Sequence, residues 1–306
     1  MIVVVGSLNM DLVINAEFIP RPGETVLGRD FKQIPGGKGA NQADAVAKLG
    51  AEVYMVGAVG DDAMGKTLKT SLKNDGVRVD FVLEKKGTPS GIAAIIVEKS
   101  GNNAITVASG ANFELTEADI NGAEEAFREA SIMLIQLETP MDTVRYSLKK
   151  AKAMGLTTIL NPAPGAKLDD GIFGKTDIIT PNETELELLT GHKTGTMEEI
   201  KEAASILLKK GIRDVVITLG SNGALHVTEE KMTHHEAYKV KAVDTTAAGD
   251  CFNGALAVGL SEGKTLEESI GFAMAAAALS VTKHGAQTSL PLKEDVLDFI
   301  SGGGKR

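Results

Sequence analysis

The chain has 306 residues, 43% hydrophobic and 24% charged, with a formal net charge of −9. That length holds one large α/β domain or a domain with an appendage, and the acidic balance excludes the clustered Lys and Arg that a nucleic-acid or anionic-membrane surface requires. A single cysteine, Cys251, excludes an internal disulfide and fits a reducing compartment. The N-terminal apolar run lacks the basic flank and cleavage site of a signal peptide, and no stretch reaches the ~18 apolar residues of a membrane span, so a cytoplasmic location is expected.

"IVVVG" (2–6) predicts a short, fully buried strand. "GSLNMD" follows it, placing Asn9 and Asp11 just beyond the strand end. "IPGGKGANQADAVAKLG" (34–50) sets two glycines, Lys38 and Asn41 before a small-residue helix. "AEVYMVGAVG" predicts a strand and "DDAMGKTLKTSLKNDG" a helix. "SIMLIQLE" is a strand ending in Glu138, followed by a helix with Thr139 as cap and Pro140 at its first position. "LTTILNPAPG", "TDIITPNETELELLTG" and "IRDVVITLGSNGALHV" continue the alternation. Apolar strands alternating with amphipathic helices predict a three-layer α/β/α sandwich whose mostly parallel sheet binds ligands beyond its carboxyl ends.

Residues 11–36 and 87–110 break this rhythm with alternating hairpin patterns around "PRPGE" and "SGNN". They are expected to pair into a small β-sheet lid over a main domain of residues 1–10, 37–86 and 111–306.

"GDDAMGKT" (60–67) satisfies the P-loop spacing G-x-x-x-x-G-K-[ST] between a strand and a helix. Asp61 and Asp62 would repel the phosphate such a loop cradles, whereas aspartate caps a helix well. The favoured reading is a capped structural helix with Lys66 at the surface. "VDTTAAGDCFNGALAVG" (243–259) reads differently. Small residues at 247–249 let ligands approach the free amides of a helix start, and Asp250 in its first turn either caps the helix or accepts an alcohol proton during phosphoryl transfer. Asp250 is expected to be held by the helix amides. Cys251 reads as a small buried hydrophobe. The five histidines lack a metal-ligand arrangement.

"GSLNMD", "GGKGANQA", "QLE", "NPAP", "TPNETE", "TLGSNG", "DTTAAGD" and "KHGAQTS" occur in an order and spacing that resembles the ribokinase-like (phosphofructokinase-B type) carbohydrate kinases, from residue 2 to about residue 300. The resemblance implies an α/β sandwich whose β-sheet lid also forms the contact of a homodimer. It implies ATP-dependent phosphorylation of the 5-hydroxyl of D-ribose, or of deoxyribose, another sugar or a nucleoside; a non-catalytic sugar-binding relative is the contrasting class. Asp250 would be the catalytic base, and Gly249 with Ala247 and Ala248 the anion hole. Asn9, Asp11, Gly37, Lys38, Gly39, Asn41 and Glu138 would hold the sugar. Asn182, Thr218, Gly220, Ser221, Gly223 and Gly249 would contact ATP, with Asn182 and Glu185 positioning Mg2+. Met274 stands where the family usually has Asn beside the adenine, so a side-chain hydrogen bond is lost. A monovalent cation, K+, would lie among Asp244, Thr246, Ser280, Lys283, Gly285 and Ser289.

Overall fold

The computed structural model describes residues 1–304. In chain order the elements are β1 (Ile2–Val5), β2 (Asn9–Ala16), β3 (Asp30–Gly36), α1 (Lys38–Lys48), β4 (Val53–Gly60), α2 (Ala63–Asn74), β5 (Arg78–Lys85), β6 (Gly91–Glu98) and β7 (Asn103–Ala108). Then come α3 (Glu117–Gly122), α4 (Glu124–Glu129), β8 (Ile132–Ile135), α5 (Met141–Ala153), β9 (Thr157–Leu160), α6 (Asp170–Phe173), β10 (Ile178–Ile179), α7 (Glu183–Thr190) and α8 (Met197–Lys209). The chain continues with β11 (Asp214–Thr218), β12 (Ala224–Val227), β13 (Met232–His235), α9 (Ala248–Ser261), α10 (Leu266–Ser280) and α11 (Lys293–Ser301).

Nine strands form the central sheet in the order β13-β12-β11-β10-β9-β8-β1-β4-β5. The pairings from β11 to β5 are parallel, whereas β12 and β13 add an antiparallel edge. β1 shows why both faces need cover: Ile2 and Val4 enter the core that includes α1, α9 and α10, while Val3 and Val5 enter the core on the opposite face with α5 and α8. The three-layer expectation holds, and the switch to antiparallel pairing follows from the short turn "TLGSNG", which has no room for a crossover helix.

The two irregular stretches form a second sheet of order β3-β2-β6-β7. Each is a hairpin, and the two join through parallel pairing of β2 with β6 from Asn9↔Gly91 to Ala16↔Glu98. Because β2 starts at Asn9, the lid grows directly out of the carboxyl end of β1 and overhangs the sheet's ligand side. One local expectation fails: α5 starts at Met141 with Pro140 at its cap position, and the buried Thr139 hydroxyl has no hydrogen-bond partner. Among the described residues, no helix is long and apolar enough to cross a membrane.

Candidate active site

α9 begins in an unusual way. Its N-cap, Ala247, has φ 59°, the one positive value at a non-glycine among the described residues, and no side chain caps the helix. A left-handed alanine costs roughly 1–2 kcal/mol, and such strain concentrates where a site needs it. A Cβ added to Gly249 would meet nothing within 4 Å, so the space before the first turn is open. The Ala248 amide donates to the Thr245 carbonyl at 3.2 Å; the positive dipole end and the other first-turn amides, which no side chain caps, face that space.

Asp250 lies in this turn and is 6% exposed. Its carboxylate is held by α1 rather than by helix amides, a correction to the sequence reading. Asn41 Nδ2 donates to Oδ2 at 2.9 Å and Gln42 Nε2 to Oδ1 at 3.0 Å. The Asn41 amide, expected to bond a sugar hydroxyl, is thus engaged with Asp250. Burial pushes the Asp250 carboxyl above its ordinary range, against the pull of Lys38, Asn41 and Gln42; Glu138 adds to the rise.

The residues expected to hold a sugar gather beside Asp250. Glu138 Oε2 accepts from Ser7 Oγ at 2.5 Å, the Lys38 amide at 3.2 Å and Asn9 Nδ2 at 3.5 Å. Asn9 is steadied in turn by Asn112 Nδ2 at 2.8 Å. Asp11 is raised to about 7 by burial and by the charges of Glu138 and Asp250, with Lys38 opposing. Burial lowers Lys38, but Asp250, Glu138, Glu185 and Asp11 together lift it above its usual value. A charged lysine thus stands among four carboxyl groups. The close approach of α1 to the end of β1 depends on two glycines: Gly37 has φ 93° and a Cβ there would lie 2.6 Å from the Asn9 amide, while one on Gly39 would lie 2.6 Å from the Ser7 amide.

Asn182 and Glu185 form a reciprocal capping box at α7, with Asn182 Oδ1 accepting from the Glu185 amide at 2.8 Å and Glu185 Oε2 from the Asn182 amide at 2.9 Å. Glu185 is nevertheless part of the charged cluster: burial raises it, its bond from Asn182 and Lys38 lower it, and Asp250 raises it. Asn182 bridges to Thr218 at the end of β11, and Gly220 and Ser221 occupy the short turn before β12. Gly223 has φ 94°, and a Cβ there would lie 2.0 Å from the His235 carbonyl. Met274 is buried in α10 within the core shared with α9.

Asp244 joins the segment before α9 to the loop after α10. Its Oδ1 accepts from the Thr246 amide at 2.9 Å and hydroxyl at 2.6 Å, and its Oδ2 from the Gly285 amide at 2.9 Å. Burial would raise this carboxyl, but those donors and His284 hold it below its usual range. Ser280 and Ser289 are buried and donate to the Ala277 and Ala286 carbonyls.

Several polar residues here went unnoticed in the sequence. Ser7, Gln42, Asn112, Gln136, Asn161, Thr180 and Asn253 are all buried. Gln136, Asn161 and Thr180 each stand one residue beyond the neighbouring strands β8, β9 and β10. The signal for them was that position: a polar residue immediately after a buried apolar run on the ligand side of a parallel sheet.

The bland readings are met elsewhere. Burial pushes the Cys251 thiol up to about 12, which leaves no thiolate for chemistry. His226 pairs with Asp214 at 2.9 Å. At α2, Asp62 is the N-cap and accepts from the Gly65 amide at 2.7 Å, while Lys66 is exposed.

The sequence profile of the pfkB family carbohydrate kinases matches residues 1–293. The chain is 42% identical over 297 residues to a ribokinase of Haemophilus influenzae, covering 97% of both chains. It is 38% identical over 301 residues to a deoxyribokinase of Salmonella typhi, covering 98% of both. The structure of Arabidopsis thaliana ribokinase complexed with ribose and ATP superimposes with a TM-score of 0.91 at 36% identity, covering 98% of both chains.

Proposed function

The chain belongs to the pfkB family of carbohydrate kinases, and from that premise we propose that it transfers the γ-phosphoryl group of ATP to the 5-hydroxyl of D-ribose, giving D-ribose 5-phosphate and ADP. The observation that carries this reading is the buried Asp250 in the first turn of an uncapped helix start, beside the cluster of Lys38, Glu138 and Asp11. The γ-phosphoryl group sits over the amides at Ala247, Ala248 and Gly249. Asn9, Asp11, Glu138 and the Gly37–Asn41 segment orient the sugar. Asp250 removes the hydroxyl proton as that oxygen bonds to phosphorus, and the bridging oxygen leaves with ADP. The nucleotide lies along Asn182, Thr218, Gly220, Ser221 and Gly223 toward Met274.

Mg2+ suits Asn182 and Glu185, because a dication offsets the burial that raises Glu185; it would neutralise phosphate charge. A monovalent cation such as K+ suits the all-oxygen set around Asp244, whose carboxylate is kept ionised and ties the 244–250 segment to Gly285. Its field would favour the transferring phosphoryl group. The lid also leaves apolar side chains open, with the cross-strand pair Ile14 and Phe31 39% and 55% exposed on one face; a second copy of the chain covers such a sheet in a dimer.

Deoxyribose is the second reading, favoured by the 38% identity to the Salmonella typhi deoxyribokinase. The test is ATP consumption with ribose, deoxyribose, hexoses and nucleosides, each with K+ or Na+ at constant ionic strength. Ribose giving the highest kcat/KM, raised by K+, is the expected result. Preference for deoxyribose replaces the substrate assignment, and no turnover with any sugar removes the kinase reading.

A further inference from the structure

We infer that Gln42 is a positioning residue for phosphoryl transfer: its buried amide fixes the plane and the charge of the Asp250 carboxylate without touching either substrate. The inference rests on the proposed role of Asp250 as base.

Gln42 is fully buried, and both N–H donors and one acceptor position of its amide are occupied. Nε2 donates to Asp250 Oδ1 and to Asn161 Oδ1, each at 3.0 Å, while Oε1 accepts from Gln136 Nε2 at 2.5 Å. The direction of the amide is set by chemistry, since an ionised carboxylate only accepts. Asp250 Oδ2 takes its bond from Asn41 at 2.9 Å, so each carboxylate oxygen has one amide donor and one face left for a hydroxyl.

The backbone is shaped to deliver this contact. Gly254 lets α9 pack closely on α1: a Cβ there would meet Ala45 Cβ at 2.7 Å and the Gln42 carbonyl at 3.0 Å. Gly6 leaves room for the Gln136 amide, whose Oε1 would be 2.1 Å from an added Cβ. The network then returns to the helix it serves. Asn161 Nδ2 donates to the Thr180 carbonyl at 3.4 Å, Thr180 Oγ1 to Asn253 Oδ1 at 2.6 Å, and Asn253 Nδ2 to the Gly249 carbonyl at 2.8 Å. Strand ends β8, β9 and β10 therefore grip both the side chain of Asp250 and the backbone beside it. Gln136 Oε1 and Asn41 Oδ1 are left without a partner, while the bonds that are made tie the Asp250 carboxylate to one geometry.

The charged groups around Asp250 are Lys38 from α1, Asp11 from β2, Glu138 after β8 and Glu185 from α7. They are unchanged when Gln42 is replaced. Loss of one N–H donor to the charged form then disfavours ionisation, and the acid limb of the kcat profile moves to higher pH.

The experiment measures kcat and ribose KM from pH 5 to 9 for wild type, Gln42→Met, Gln136→Met and Asp250→Asn, with thermal unfolding as a check on folding. Gln42→Met is expected to lower kcat at pH 7 about ten- to a hundredfold, the worth of a hydrogen bond to a charged group. Its ribose KM changes far less, and the deficit narrows as pH rises. Gln136→Met, one bond further away, shows a smaller loss with the same upward shift, and it carries the test if Gln42→Met does not fold. An acid limb that stays in place, or a loss equal at every pH, overturns the role of Gln42. Near-normal kcat in Asp250→Asn overturns the underlying assignment of the base instead.

Discussion

Two helix starts in this molecule carry phosphate-binding letters, and they are built in opposite ways. At α2, "GDDAMGKT" has the full P-loop spacing, yet Asp62 closes the helix by accepting from the Gly65 amide, the Ser90 amide at 2.8 Å and the Ser90 hydroxyl at 2.7 Å. At α9, "TTAAGD" matches no P-loop, yet its first turn is left without a side-chain cap and opens onto free space. An anion requires unoccupied N–H groups and a site free of competing negative charge. Side-chain capping, present at α2 and absent at α9, is what distinguishes the two starts, not the spacing of glycines and lysine.

The contrast is broken most severely by Asp250→Asn. It removes the proposed proton acceptor and is expected to lower kcat by ~10²–10⁴, with unfolding temperature and ribose affinity largely kept; steady-state kinetics and thermal melts report both. Asp11 gives the next effect. Its carboxyl is raised from 3.8 to about 7, so the unliganded protein gains stability from the protonated form. That contribution is full below the ordinary value and disappears as pH rises through the folded one. A sugar hydroxyl donating to Asp11 needs the ionised form, so ribose affinity should increase across the same window, and calorimetry should record proton release on binding near neutral pH. Asp11→Asn should flatten both dependences and weaken ribose binding.

Asp62→Ala should cost about 1–2 kcal/mol of stability, the usual worth of an N-cap, with kcat nearly unchanged; urea unfolding measures it. Lys66→Ala should be the smallest effect, silent in both rate and stability, because Lys66 is exposed. A substantial loss of ATP affinity in Lys66→Ala would instead restore the P-loop.

The layer order and the lid made from two distant hairpins were legible in the sequence because each follows from local patterning. Buried strands read as apolar runs, and Asp62 could be recognised as a cap from its place before Met64. The partners of Asp250 were not legible. Gln42 lies 208 positions away, and its meeting with Asp250 depends on close packing of α1 against α9 at Gly254. A sequence also cannot separate a capping box from a metal-positioning pair at Asn182 and Glu185, since both use the same spacing. The antiparallel edge was missed for a similar reason: only the brevity of the turn at Gly220–Asn222 distinguishes β12 from another parallel strand.

Amide hydrogen exchange tests the central contrast most directly, with the full chain measured alone and with ribose plus a non-hydrolysable ATP analogue and Mg2+. Phosphate held at α9 predicts strong new protection in peptides spanning residues 245–251, with peptides spanning 61–67 unchanged. Protection appearing at 61–67 while 245–251 exchanges as before would contradict the account.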